Sequence, residues 1–114
     1  MGRQTTTTNT EIKSEFFTLA ELTRSETAAR HKIDNTPNKA VIDNLQYGVD
    51  MVLDPLRRLY RKPIRINSAY RSPQLNKLVG GVPNSWHQDG NAADIHISSA
   101  EEAKILFSYL QKLP

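Results

Sequence analysis

Val41, Ile42, Leu45, Val49, Val52, Leu53, Leu56, Leu59 and Tyr60 recur at the spacing of one helix face. They predict a long helix from Pro37 to Tyr60 with all of these side chains in the core. Thr36 suits the N-cap, and Pro37 suits the first helical position, where a missing N–H costs little. Pro55 falls inside the pattern and predicts a kink or a division into two helices. Upstream, Thr18 and Glu21 have capping-box spacing, so a short helix is expected to open near Thr18. Thr27–Lys32 adds another helical turn before the polar break Asp34-Asn35.

Downstream the period changes. Ile64-Arg65-Ile66-Asn67-Ser68 alternates like a half-buried strand behind Pro63. Pro73 opens a short helix through Val79, which Gly80-Gly81 ends, and Val82–Gly90 reads as loop. Ala92–Ile97 is a second apolar stretch, interrupted by Asp94 and His96. Ser99 and Glu102 form another capping box, and the helix behind it is expected to turn Ala103, Leu106, Phe107 and Leu110 inward. The order of helices, strand, short helix, loop, strand and helix is an α+β arrangement. Two strands make a poor sheet, so the pattern is expected to undercount the strands.

Composition narrows this picture. A chain of 114 residues holds one small domain. Residues 1–15 are polar, with a Thr5–Thr8 run, and predict a disordered tail or an appended remnant; the domain is expected over 16–114. No apolar run approaches membrane-spanning length, and no signal peptide is visible. Cysteine is absent, so any metal must rest on histidine and carboxylate. The net charge of +3 and pI of about 9.3 reflect scattered basic residues apart from Arg57, Arg58, Arg61, Lys62 and Arg65. That group reads as solvated surface. A nucleic-acid partner ranks last among the readings, because it would rest on this group alone.

The chemistry is concentrated in Ser68–Ile97, where Ser68, Tyr70, Arg71, Asn76, Gly80-Gly81, Ser85, His87, Gly90 and Asp94 cluster around the two strands. Packing alone does not call for so many polar and glycine residues. Zinc accepts imidazole nitrogen and carboxylate oxygen, and Gly90 would let the backbone turn so that His87 and Asp94 converge. By spacing alone, two readings stay open. One is a metal-ligand pair; the other is a loop histidine beside an aspartate that caps a turn.

The segments Ser68-Ala69-Tyr70-Arg71-Ser72-Pro73-Gln74-Leu75-Asn76, Val79-Gly80-Gly81 and Ser85 through Asp94 together resemble the M15 family of zinc D-alanyl-D-alanine peptidases. The likeness extends to Phe16–Leu22 and Asp54-Pro55-Leu56-Arg57, and so covers Phe16 to Leu113. It implies Zn²⁺ as cofactor, with His87 and Asp94 as two of its ligands. It matches Arg71 to the arginine that holds the substrate carbonyl or developing oxyanion. Ser85 is expected to orient the His87 loop or to bind the substrate backbone, and Trp86 to line the cleft or join the core. Tyr70, Asn76 and the two glycines are expected to shape the loop. The implied fold is that of the Hedgehog and DD-peptidase domains, a small antiparallel sheet packed against helices.

The implied activity is zinc-dependent hydrolysis of peptidoglycan stem peptides, as carboxypeptidase or endopeptidase, in the cell wall. In the family, a further histidine ligand and a glutamate base follow the last helix. Neither is expected within these residues, so activity of this chain is expected to be impaired. His96 lies two residues beyond Asp94 and would face the same side of a strand. It is an alternative third ligand only in that sense. Glu101 and Glu102 read as first-turn and capping residues. The competing expectation is a non-catalytic module of the same fold that binds cell-wall peptides.

Overall fold

Side-chain caps set where the helices begin in the computed structural model, which describes residues 11–113. Thr18 Oγ1 accepts from Glu21 N, and Glu21 Oε1 accepts from Thr18 N, completing the expected capping box ahead of α1 (Leu19–Thr23). Ser25 caps α2 (Glu26–Arg30) in the same way through Ala28 N. The long helix starts at Lys39, later than Thr36 and Pro37 suggested. Asn38 Oδ1 accepts from Val41 N at 2.9 Å, while Thr36 N donates to Asp34 Oδ1 in a preceding turn. Asparagine caps at least as well as threonine, and Pro37 holds Thr36 out of the helical region.

Pro55 does not divide this helix. After α3 (Lys39–Gly48), residues Val49–Leu53 form a π-helical turn in which Asp54 N donates to Val49 O, and α4 (Asp54–Tyr60) follows directly. Proline lacks the N–H and crowds the carbonyl four residues before it; a wider turn at that point relieves the conflict. The same wide turn changes the buried face. Val49, Leu53 and Leu56 are buried, whereas Val52 and Leu59, both expected in the core, are exposed.

The sheet is small and two-stranded among the described residues, and the molecule is α+β. β1 (Ile66–Ser68) pairs antiparallel with β2 (Asp94–Ile95), Ile66 opposite Ile95 and Ser68 opposite Asp94. Two steps on β1 thus match one on β2, a bulge at Asn67 beside the candidate ligand Asp94. Both strands are shorter than their alternation suggested, although Ile64 and Ile66 are buried and Arg65 and Asn67 exposed as expected.

α5 (Pro73–Leu78) is capped by Ser72 and ends at Gly80, where φ is 77°. α6 (Ala100–Leu110) is capped by Ser99, and Glu102 Oε1 reaches back to Ser98 N at 2.7 Å. The other oxygen, Glu102 Oε2, accepts from Tyr60 OH at 2.5 Å and clamps α6 to α4. That bond turns Leu106 and Tyr109 toward the core. Phe107, expected inside, is instead 61% exposed, and Leu110 is also exposed.

One core runs from Leu22 through Val41, Leu45, Val49 and Leu56 to Ile66, Tyr70 and Leu106. Full burial of each large aliphatic side chain stabilises the fold by roughly 1.5–3 kcal/mol. Ile12 and Phe17 belong to this core. Ser14 Oγ donates to the buried Asp54 at 2.7 Å, and Arg57 lies 4.6 Å from the Phe16 ring centroid. Of the expected tail, residues 1–10 lie outside the described residues, and its last part packs on the domain. No helix among the described residues is long and apolar enough to cross a membrane.

Candidate functional site

Residues 69–72 hold the site together through their backbone. Tyr70 N donates to Leu22 O at 2.8 Å, Arg71 N to His87 O at 3.0 Å, and Ser72 N to Asn35 Oδ1 at 2.8 Å. Asn35 Nδ2 donates in turn to Tyr70 O and to Thr23 O. One side chain therefore brackets Arg71 on both sides. In the sequence Asn35 is only part of a polar break, and no local signal marks this role. Its partners lie in segments remote from it along the chain.

His87 is buried in a 3₁₀ turn, Trp86–Asp89, that Ser85 caps. Ser85 Oγ accepts from the His87 backbone N–H at 3.2 Å. His87 Nδ1 lies 2.6 Å from Ala69 O. A carbonyl only accepts, so Nδ1 carries hydrogen and Nε2 is the nitrogen left to bind a metal. That nitrogen faces Asp94 Oδ2 at 3.5 Å, with the Asp94 side chain 61% exposed. A metal-binding histidine is held in this way, one nitrogen anchored to a backbone carbonyl and the other free for the ion. The imidazole and carboxylate pair fits zinc in donor type and in orientation.

Gly90 makes the convergence of His87 and Asp94 possible for two reasons. Its φ of 78° is left-handed, and a Cβ there would stand 2.9 Å from Val41 O and 3.1 Å from Leu45 Cγ. The loop thus lies against α3 as closely as backbone allows. At the other end, Asn76 Nδ2 donates to Val82 O and Asn76 O accepts from Gly81 N, joining α5 to the loop. Gly81 has no room for a side chain beside the Asn76 amide. Tyr70 is buried in the core, and burial holds its phenol above the ordinary value, with the Asp34 charge adding to the effect.

The remaining expected residues divide. Arg71 is half-buried, its backbone N–H is bonded to His87 O, and its Nε is buried with no hydrogen-bond partner among the described residues. Trp86 is 72% exposed next to His87 and so is not core. His96 is not gathered with the pair: no group of three His, Cys, Asp or Glu side chains able to hold a metal forms among the described residues. Glu102 is engaged by Tyr60 and Ser98, as a capping residue.

No curated protein matches the chain, and no solved structure does. A family model described as Peptidase M15 matches residues 15–112, a span that contains the capped first helix, the Arg71 turn and the His87–Asp94 pair. The chain therefore belongs to the peptidase M15 family.

Proposed function

We propose that this domain is a zinc peptidase of peptidoglycan stem peptides, with His87 and Asp94 as two metal ligands and the fold of the Hedgehog and DD-peptidase domains. The observation that carries the reading is the orientation of His87. Its Nδ1 is anchored on Ala69 O, and its Nε2 is turned toward Asp94. Zinc bound there supplies Lewis-acid chemistry, acidifying water and polarising a peptide carbonyl.

The chain's own residues do the positioning. Ala69 O holds the imidazole through Nδ1 and Ser85 Oγ holds the His87 backbone N–H, so little reorganisation is needed when a ligand arrives. The Arg71 guanidinium, on a backbone pinned by His87 and Asn35, stabilises negative charge that develops on the substrate oxygen. The exposed Trp86 indole offers a flat apolar face to the peptide beside the pair.

A catalytic zinc site takes three protein ligands and keeps one position open. Two converge among the described residues, so these residues by themselves hold zinc weakly and turn substrate over slowly. That same observation favours a second reading, a cell-wall peptide-binding module without catalysis. Zinc titration by calorimetry, beside hydrolysis of peptides ending in D-Ala-D-Ala, tests the proposal. Weak zinc binding that His87→Ala abolishes is expected. Zinc binding indifferent to both His87→Ala and Asp94→Ala would overturn the metal assignment, and chelator-independent binding to purified peptidoglycan without turnover would favour the module.

A further inference from the structure

A concavity of about 340 Å³ opens beside the Ser68–Arg71 turn. Arg24, Arg65 and Arg71 all line it, from three separate stretches of chain: the end of α1, the approach to β1 and the turn before α5. None of the three forms an ion pair among the described residues, where salt bridges join only Lys39 to Asp43 and His87 to Asp94. The one carboxylate in the lining, Glu26, forms none either. Arg24 Nη2 reaches a backbone carbonyl, Ile66 O, only at 3.5 Å. Arg71 Nε is buried without a partner among the described residues.

Three guanidinium groups around one hollow repel one another and focus a positive potential into it. An oxyanion relieves both effects, and guanidinium matches carboxylate in two parallel hydrogen bonds. The hollow also adjoins the metal pair. Ser68, in its lining, stands opposite Asp94 across the sheet, and Arg71 bonds His87 through its backbone.

We infer that this cleft is a subsite for a peptide carboxylate, with Arg24 and Arg65 as its specificity-determining residues, so that the domain selects acidic peptides. The inference rests on reading the His87–Asp94 pair as the hydrolytic centre. The carboxylate belongs either to an acidic side chain or to the free C-terminus of the bound peptide. Both present the same planar anion to the arginines.

The test is binding of dye-labelled pentapeptides, followed by fluorescence anisotropy in a chelator so that zinc plays no part. The peptides carry Glu or Gln at one internal position, each as the free acid and as the C-terminal amide. The fully charged peptide is expected to bind about tenfold more tightly than the fully neutral one, a gap of the size one charge-assisted bond supplies. Arg24→Gln and Arg65→Gln are each expected to shrink the gap to about twofold, and Arg→Lys to restore part of it. Both side chains are exposed, so the variants should fold, and circular dichroism checks this. Whichever carboxylate carries the gap identifies its source. Equal binding of charged and neutral peptides, no binding of either, or a gap that survives both Gln variants would overturn the subsite. Failure of the metal assignment would appear separately, as loss of the His87-dependent zinc titration with this gap intact.

Discussion

Gly90→Ala separates two costs that the structure assigns to one residue. A Cβ at Gly90 must adopt φ near 78° and must also approach Val41 O to 2.9 Å, Val41 Cγ1 to 3.0 Å and Leu45 Cγ to 3.1 Å. The first cost is the left-handed conformation, roughly 1–2 kcal/mol for a non-glycine residue. The second is overpacking against α3, roughly 1–3 kcal/mol, because the nearest atom is a helix carbonyl that cannot swing away. Gly80 provides the control: its φ is 77°, yet nothing lies within 4 Å of a Cβ there. Gly80→Ala should therefore lose about 1–2 kcal/mol and Gly90→Ala about 2–5 kcal/mol. Both losses leave a measurable folded state where the stability of the domain exceeds about 5 kcal/mol, the low end of the ordinary range. Urea unfolding followed by far-ultraviolet circular dichroism gives both values, with equal slopes required for the comparison. Should the two variants lose the same amount within about 0.5 kcal/mol, the claim that the His87–Asp94 loop packs tightly on α3 would be wrong.

Two further outcomes follow from the contacts around the site and the last helix. Asn35→Ala removes two bonds from Nδ2 and one to Oδ1, and should cost about 3 kcal/mol at roughly 1 kcal/mol per bond. A loss under about 1 kcal/mol in the same urea experiment would mean that water replaces Asn35 at no cost. The Tyr60 hydroxyl holds the Glu102 carboxyl below its ordinary value, with Ser98 N assisting, and Glu102 in turn raises the Tyr60 phenol. Glu102 then contributes stability that is complete above the ordinary carboxyl range and is lost as pH falls through its lowered value. Tyr60 contributes stability that is complete below the ordinary phenol range and is lost as pH rises through its raised value. Tyr60→Phe should accordingly flatten the dependence of the urea midpoint on pH as pH falls through and below the ordinary carboxyl range, and parallel curves would refute the linkage.

The features that depend on neighbours along the chain are legible in the sequence itself. Thr18 and Ser99 each cap the turn that follows them, and a glutamate three residues on marks both starts. The alternation of Ile64 to Asn67 marks a strand because each side of a strand repeats every second residue. His87 and Asp94 stand out through the chemistry of their side chains and through the motifs around them, and the family match spans those same motifs. These signals are local, and a sequence displays local order directly.

Other features rest on contacts between distant segments, and residue order does not display them. The π turn ahead of Pro55 hides Leu53 and exposes Val52, a rotation that a regular 3.6-residue wheel does not contain. The bond from Tyr60 to Glu102 sets the face of α6 and leaves Phe107 outside. Asn35 bracketing Arg71, Ala69 O selecting the His87 tautomer, and three arginines meeting at one cleft each join residues from separate elements. Ala69 offers only a backbone carbonyl, which every residue carries, so its role is invisible in residue type. Residue types alone establish which groups are able to bind metal or anion. Packing establishes which nitrogen faces the aspartate and where the positive charge gathers, because both depend on chain segments that meet only in the folded molecule.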